Sequence, residues 1–435
     1  MDVASQNYLQ WFRAAAPYIQ SHRGKTFVLA LPGEAIACEQ LQAIGHDIAL
    51  LHSLGIRLVL CFGARPQIND TLAIKGIDCK FHHYTRVTPP SALEPIQQVA
   101  GNIRHQLEAL FAQGIANTPD HCSRVATCSG NFVIAKPRGV IDGIDMQRTG
   151  SVRKVHTPSL DALLDTEQIV LVPPLGYSAT GETFNLSVYE NAAAVAAALE
   201  ADKVILYSEM TALNNEQGQR ISALPKEKAL QLLATASGDN TPHLLQAADS
   251  ALQTVPRVHL ISYQQDGALL KELFTRDGAG TLIYRDHYEE IRPASIEDVG
   301  GILELIEPLE KSGAIVKRSR QQLETEISYF QVADCDGMIV ACAALYPLAD
   351  KCAEAACIAT HPDYRNNGLG ARIVDAIEQA AADKNIEKLF VLTTQAEHFF
   401  LERGFKASNV EALPADKKGI YNLQRNSKVF LKTLD

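Results

Sequence analysis

The residues best suited to chemistry lie where an apolar strand runs into a glycine-flanked turn. Residues 357–372 read Cys-Ile-Ala-Thr-His-Pro-Asp-Tyr-Arg-Asn-Asn-Gly-Leu-Gly-Ala-Arg, which sets Arg365, Gly368 and Gly370 in an R-x-x-G-x-G spacing. Leu369, Ile373, Ile377 and Ala380 then recur at helical intervals, so the turn opens a helix. A helix start offers unpaired N–H groups and the positive end of its dipole. Glycines let a pyrophosphate approach that backbone closely, and Arg365 adds charge. Upstream on the same strand, Glu354 is a carboxylate that could accept a proton from an amine. Simple alternation would place it on one face with Ala356, Ile358 and Thr360.

Strand, loop, helix, strand and a closing Glu402-Arg-Gly-Phe405 together resemble the GNAT acetyltransferase superfamily. The resemblance implies acetyl-CoA as cosubstrate and no metal. It assigns the pantetheine arm to the backbone of Cys357, Ile358 and Ala359, and the pyrophosphate to Arg365, Asn366, Asn367, Gly368, Leu369 and Gly370. Glu354 becomes the general base for the attacking amine, and Cys357 is expected to be a packed thiol because a direct transfer needs no acyl-enzyme. Many superfamily members carry a Tyr four residues before the Gly of the closing G-F as acid for the leaving thiolate. Here that position is Phe400, so Thr393, at the end of the strand Lys388–Thr394, takes its place as the candidate donor.

Two basic clusters, Lys317-Arg318-Ser-Arg320 and Arg425-Asn-Ser427-Lys428, read as solvated surface from spacing alone. The longer blocks around them change that weighting. Val316–Glu324, Ala341–Pro347, Lys388–Thr394 and Tyr421–Val429, together with much of the front half, closely resemble the bacterial N-acetylglutamate synthases. That resemblance implies acetyl transfer to the α-amine of L-glutamate, in the first step of arginine biosynthesis. It places Lys317, Arg318, Arg425 and Ser427 around the acceptor's two carboxylates, for which paired cationic donors are suited. It also implies L-arginine as a feedback effector at His259, Glu272, Gly278 and Thr281, with the N-terminal helix (Tyr8, Trp11, Phe12) nearby, and assembly into homo-hexamers.

These residues need two scaffolds. The runs Thr26–Leu31 and Arg57–Phe62, with a helix of apolar periodicity between them, form a βαβ pattern. Further strands are expected at Asn131–Ala135, Gln168–Val172, Lys203–Tyr207 and Val258–Ser262. Residues 1–285 are therefore expected to be one α/β domain with a mostly parallel sheet between helices. Residues 286–435 should form an α+β acyltransferase domain, the polar stretch Thr281–Pro293 being the junction. The front domain resembles the amino-acid kinase family at Phe27–Ile36, Gly63–Ile68 and Gly181–Leu206. Its phosphate loops are altered, however: Ala30 and Pro32 stand in a usual K-x-G-G, and Ala64 and Arg65 in a usual G-G-G-P. No kinase activity is expected, because phosphoryl transfer depends on close phosphate positioning and charge neutralisation.

Composition narrows the remaining classes. A net charge of −10 argues against nucleic acid or an anionic membrane as partner. Nine scattered cysteines with no C-x-x-C pair suit reduced thiols in a cytoplasmic enzyme. No run is long and apolar enough for a membrane span or a signal peptide.

Overall fold

The structure is a computed structural model that describes residues 3–114, 125–215, 217–235, 241–275, 278–285, 289–335, 338–365, 368–394, 396–414 and 427–434. The chain divides into two compact units, Met1–His287 and Tyr288–Asp435. The fold class is the one expected, α/β followed by α+β.

The first unit is built on eight strands: β1 (Thr26–Leu31), β2 (Arg57–Phe62), β3 (Thr127–Ser129), β4 (Ile169–Val172), β5 (Lys203–Ser208), β6 (Ala223–Pro225), β7 (Arg257–Ser262) and β8 (Thr281–Tyr284). They lie in the order β6-β8-β7-β5-β1-β2-β4-β3, parallel throughout except for β7 against β8. Every residue of β1 is buried. Phe27, Leu29 and Leu31 pack into one apolar cluster, and Val28 and Ala30 into the other. A strand covered on both faces has no polar side to show, which is why Thr-Phe-Val-Leu-Ala-Leu reads as a continuous run. The first cluster takes in α1 (Val3–His22) through Ala15 and Tyr18 and α2 (Leu41–Ser53) through Ile44 and Ile48. A second, four-stranded sheet and two small hairpins stand apart from this frame.

One corner concerns the residues read as an effector site. His259 on β7 reaches Glu272 on α3 (Ala268–Phe274), Nδ1 to Oε1 at 2.7 Å. The other oxygen of Glu272 accepts the backbone N–H groups of Ala279 and Gly280 at 2.7 and 2.8 Å. Gly280 has no alternative, since a Cβ there would sit 1.9 Å from the Leu260 carbonyl oxygen. At Gly278 a Cβ would meet Glu272 Oε2 at 2.4 Å. Thr281 is fully buried, and its hydroxyl donates to the Ile221 carbonyl at 2.6 Å while accepting the Leu213 N–H at 2.9 Å.

The second unit is a seven-stranded sheet: β9 (Glu290–Pro293), β10 (Phe330–Cys335), β11 (Met338–Pro347), β12 (Cys352–Thr360), β13 (Lys388–Thr393), β14 (Lys406–Ser408) and β15 (Lys428–Thr433), in the order β9-β10-β11-β12-β13-β15-β14. Helix α4 (Val299–Lys311) covers one face with Val299, Ile302, Leu305 and Ile306; α5 (Leu369–Asp383) covers the other with Leu369, Ile373, Val374 and Ile377. Entry into α4 is fixed by Asp298, which takes a paired bond from Arg292 at 2.7 and 2.9 Å and the Ser295 N–H at 2.7 Å. These bonds, led by Arg292, hold the Asp298 carboxyl below the usual carboxylate range. No helix among the described residues is long and apolar enough to cross a membrane.

Candidate active site

The site begins as a parting of two strands. β12 and β13 pair in parallel from Cys352↔Lys388 to Ala355↔Val391, and there the register ends. β13 continues against β15 as far as Thr393↔Lys428, while β12 continues against β11 as far as Thr360. Between the diverging edges lies a cavity of ≈ 800 Å³, walled on one side by Glu354–Thr360 and on the other by Val391–Thr394. Backbone amides on a strand edge that has lost its neighbour can pair with an extended amide-bearing ligand.

A bulge shapes that edge. β11 and β12 pair Ala344↔Ala356 and then Cys342↔Ala359, so Ala343 alone faces two residues, Cys357 and Ile358. Cys357 adopts the left-handed φ of 52° that such a bulge demands. The extra residue inverts the side-chain parity. Ala353 and Ala355 belong to the α5 cluster, where Ile358 rejoins them, whereas Cys357 and Ala359 pack toward α4. The simple alternation therefore fails across the bulge: Glu354 and Ala356 share a face with Cys357 and Ala359, not with Ile358 and Thr360.

That face carries the charge. Glu354 is 7% exposed, lines the cavity and sits opposite Tyr346 on β11 and Phe390 on β13. Arg318 lines the same cavity with its guanidinium 5.9 Å from the Tyr346 ring centroid. Its backbone N–H donates to Glu310 at 2.8 Å and its Nη1 to the Val316 carbonyl at 3.0 Å. Its Nε is buried with no hydrogen-bond partner among the described residues, a donor that a bound anion would satisfy. Burial draws the Arg318 pKa down, but Cys357, Tyr346 and Glu326 around it keep the pKa above its ordinary value. Tyr346 donates to Glu326 at 2.5 Å; burial and this bond push its pKa up, so it remains a hydroxyl. Cys342 Sγ donates to the Cys357 carbonyl at 3.5 Å, and the neighbouring Cys357 side chain and burial push the Cys342 thiol pKa up.

Other expected site residues fall as follows. Arg365 and Gly370 border the cavity beside Cys357, Ile358 and Ala359, and Ser427, just before β15, and Thr393, at the end of β13, close it. A Cβ on Gly370 would make only ordinary contacts, 3.6 Å to Thr360 Oγ1 and 3.8 Å to Phe399, so protein packing does not demand glycine there. Its missing side chain instead leaves space at the helix start. Gly368 precedes α5 with a left-handed φ of 74°. Leu369 points into the α5 core, and Lys317 is exposed and outside the cavity wall. The Thr393 hydroxyl accepts the Ala396 N–H at 3.0 Å at the entry to α6 (Glu397–Glu402), which fixes its oxygen. Phe400, which has no proton to give, lines the cavity. Asn366, Asn367 and Arg425 lie outside the described residues. Tyr346, Glu326 and Gln322 were not singled out in the sequence; a Tyr opposite the candidate base was the signal for the first.

Comparison with known proteins gives these features a family. Residues 25–262 match the amino acid kinase family and residues 301–405 the acetyltransferase (GNAT) family. The amino-acid acetyltransferase of Azotobacter vinelandii is 47% identical over 431 residues, covering 99% of this chain and 100% of that protein. The chain belongs to the amino-acid acetyltransferase family. The amino-acid acetyltransferase of Pseudomonas syringae pv. tomato is 46% identical over 98% of this chain. Two crystal structures of N-acetylglutamate synthase from Neisseria gonorrhoeae are also similar. The one complexed with coenzyme A and L-arginine has a TM-score of 0.85 at 36% identity, covering 98% of this chain and 99% of that one. The one complexed with coenzyme A and N-acetyl-glutamate has a TM-score of 0.63 at 37% identity, with the same coverage. As an amino-acid acetyltransferase, the chain uses a GNAT domain behind an amino-acid-kinase fold for acetyl transfer from acetyl-CoA.

In the kinase-like unit, the position of the usual lysine is Ala30, buried in the sheet. A Cβ on Gly33 would lie 2.7 Å from the Arg65 nitrogen, and one on Gly63 3.0 Å from the Gly33 nitrogen. These glycines let two loops pack against each other, leaving a cavity of only ≈ 140 Å³ beside them.

Proposed function

We propose that the acceptor is L-glutamate, the product N-acetyl-L-glutamate, and the reaction the first step of arginine biosynthesis. The observation that carries this reading is the cavity face shared by Glu354 and Arg318, which offers a proton acceptor and an unsatisfied cationic donor together. The N-acetylglutamate synthase bound to coenzyme A and N-acetyl-glutamate supports it.

In this reading the pantetheine arm lies along Cys357–Ala359 and the pyrophosphate at Arg365 and residues 366–370, beside the N–H groups that open α5. The acceptor's carboxylates meet Arg318 and Ser427, which line the cavity, with Arg425 the further cation that the family resemblance assigns; Lys317, outside the cavity wall, is left to the rim. Its α-ammonium gives a proton to Glu354, directly or through water, because an α-amine with a pKa of about 8 or above is mostly protonated at neutral pH. The freed nitrogen adds to the acetyl carbonyl carbon. Collapse of the tetrahedral adduct breaks the C–S bond, the adduct nitrogen gives up its second proton to solvent, and the CoA thiolate, a good leaving group that needs little acid assistance, leaves toward Thr393 and takes up a proton from solvent. Residues 286–435 are the catalytic domain and residues 1–285 the regulatory one, binding L-arginine at His259, Glu272, Gly278 and Thr281. The synthase complexed with L-arginine supports that assignment. The active form is a cytoplasmic homo-hexamer.

Thiol release from acetyl-CoA, assayed across all twenty amino acids, tests the acceptor. Saturable turnover with glutamate alone is expected, and its absence overturns the reading. Arg318→Ala should raise the KM for glutamate by about 10- to 100-fold with a smaller change in the KM for acetyl-CoA. An unchanged glutamate KM would remove Arg318 from the acceptor pocket. ATP consumption in the presence of N-acetylglutamate should show no saturable turnover.

A further inference from the structure

Two hairpins of the first unit, distant in sequence, meet tip to tip. In one, Phe81↔Arg86 and His82↔Thr85 pair around a two-residue loop, His83-Tyr84, with φ values of 44° and 60°. In the other, Ile141↔Ile144 pair around Asp142-Gly143, with φ values of 49° and 79°. Left-handed φ at both loop positions marks the tight hairpin turn of the primed type. Asp-Gly is a pair such a turn favours. His-Tyr is not, and the chain holds it there by other means. The Phe81 ring lies between the guanidinium groups of Arg65 and Arg86, at 4.9 and 4.7 Å, and Arg65 Nη2 donates to the Tyr84 carbonyl at 2.7 Å.

The consequence is that two neighbouring imidazoles turn to the same side. Their ring centroids are 4.2 Å apart, and both Nε2 atoms converge on one oxygen, Asp142 Oδ2, at 2.9 and 3.0 Å. All three donor atoms lie within 4.8 Å of one another. A half-buried and an exposed imidazole crowding one exposed carboxylate oxygen gain little as ion pairs. The same atoms are a ready ligand set. A tetrahedral ion with bonds of roughly 2.0–2.1 Å spaces its donors by about 3.3 Å, so the two nitrogen–oxygen distances of 2.9 and 3.0 Å need to open by only a few tenths of an ångström.

We propose that His82, His83 and Asp142 bind one divalent transition cation of the zinc class, which clasps the two hairpins together. Two imidazole nitrogens beside a single carboxylate select such ions over magnesium or calcium. The fourth position is left to solvent. The ion sits at the rim of a cavity of ≈ 410 Å³ lined by His82, His83, Ile141 and Tyr189. It is separate from the acetyl-transfer site and does not rest on the glutamate reading. Sequence spacing concealed it, because the third ligand stands 59 residues beyond His83.

Zinc titration of chelator-treated full-length chain, followed by calorimetry, thermal midpoint and the visible absorption of a Co²⁺ substitute, tests the proposal. Wild type should take up one equivalent with a rise in midpoint, and Mg²⁺ should give none. His83→Asn and Asp142→Asn remove a ligand but keep residues that tolerate left-handed φ, so neither should impair folding. Each should weaken zinc binding by about tenfold or more and abolish the midpoint shift. Absence of uptake by wild type overturns the proposal. So does equal uptake by both variants, which would assign the ion to thiols elsewhere.

Discussion

Replacing Glu354 by Gln is expected to lower kcat by about 10²- to 10⁴-fold, the range that a positioned general base contributes, while acetyl-CoA binding persists. Gln matches Glu in volume, and the position is buried between Tyr346 and Phe390 in the middle of a sheet. The change therefore removes a proton acceptor without opening a hole. It also predicts a pattern a structural role would not produce. The loss should shrink as pH rises toward the α-amine pKa, which in a free amino acid lies above the peptide-terminus value of about 8, because solvent then supplies the free amine that Glu354 otherwise generates. Steady-state rates at pH 7 and pH 9.5 for both proteins provide the measurement. A kcat within about threefold of wild type at pH 7 would move the base elsewhere. The runner-up is Glu326, which lines the same cavity but already accepts the Tyr346 hydroxyl.

How far the sequence reveals this site depends on what each residue's neighbours demand. The buried strands of both sheets announce themselves because burial on two faces leaves no polar alternation, as in Thr26–Leu31 and Lys203–Ser208. The helix-opening turn at Arg365–Gly370 is legible because its arginine and glycines stand between an apolar strand and an amphipathic helix; the spacing alone is a weak signal. The bulge is not. Left-handed backbone usually advertises itself with Gly or Asn, and here it falls on Cys357 in an Ala-Ala-Cys-Ile-Ala run. Everything downstream on β12 was consequently placed on the wrong face, Thr360 and Ile358 included. Of the four-stranded sheet of the first unit only the strand expected at Asn131–Ala135 is legible, observed at Val133–Pro137 in this sheet and not in the main one; its other three strands are three to six residues long and partly exposed. Arg318 became distinguishable from surface charge only through resemblance, because its place beside Tyr346 depends on the register between distant strands.

Glu272→Ala should destabilise the first unit by about 3 kcal/mol or more, because it strips partners from three buried groups at once. Those groups are His259 and the N–H groups of Ala279 and Gly280. For a unit of this size the loss corresponds to a fall of roughly 6–12 °C in its thermal midpoint. Loss of arginine sensitivity in this variant would therefore not distinguish a binding role from a collapsed turn. Glu272→Gln separates them, since its carbonyl oxygen can still accept both backbone bonds while the negative charge is gone. If Glu272 receives a guanidinium, the Gln variant should fold, retain acetyl transfer and lose most of its inhibition by L-arginine. Unchanged inhibition would remove Glu272 from the effector site. The pH dependence carries a sign of its own. Burial raises the Glu272 carboxyl, but the bonds from His259, Gly280 and Ala279 more than offset it and hold it below its ordinary value. A carboxyl depressed in the folded state stabilises fully above its unfolded pKa of about 4.3 and loses that contribution as pH falls toward the folded one. The stability gap between wild type and Glu272→Gln should accordingly be constant from pH 6 to 8 and close below about pH 4. A gap that widened in acid would mean that the buried carboxyl is protonated in the folded chain, and that His259 rather than Glu272 supplies the charge an effector would meet.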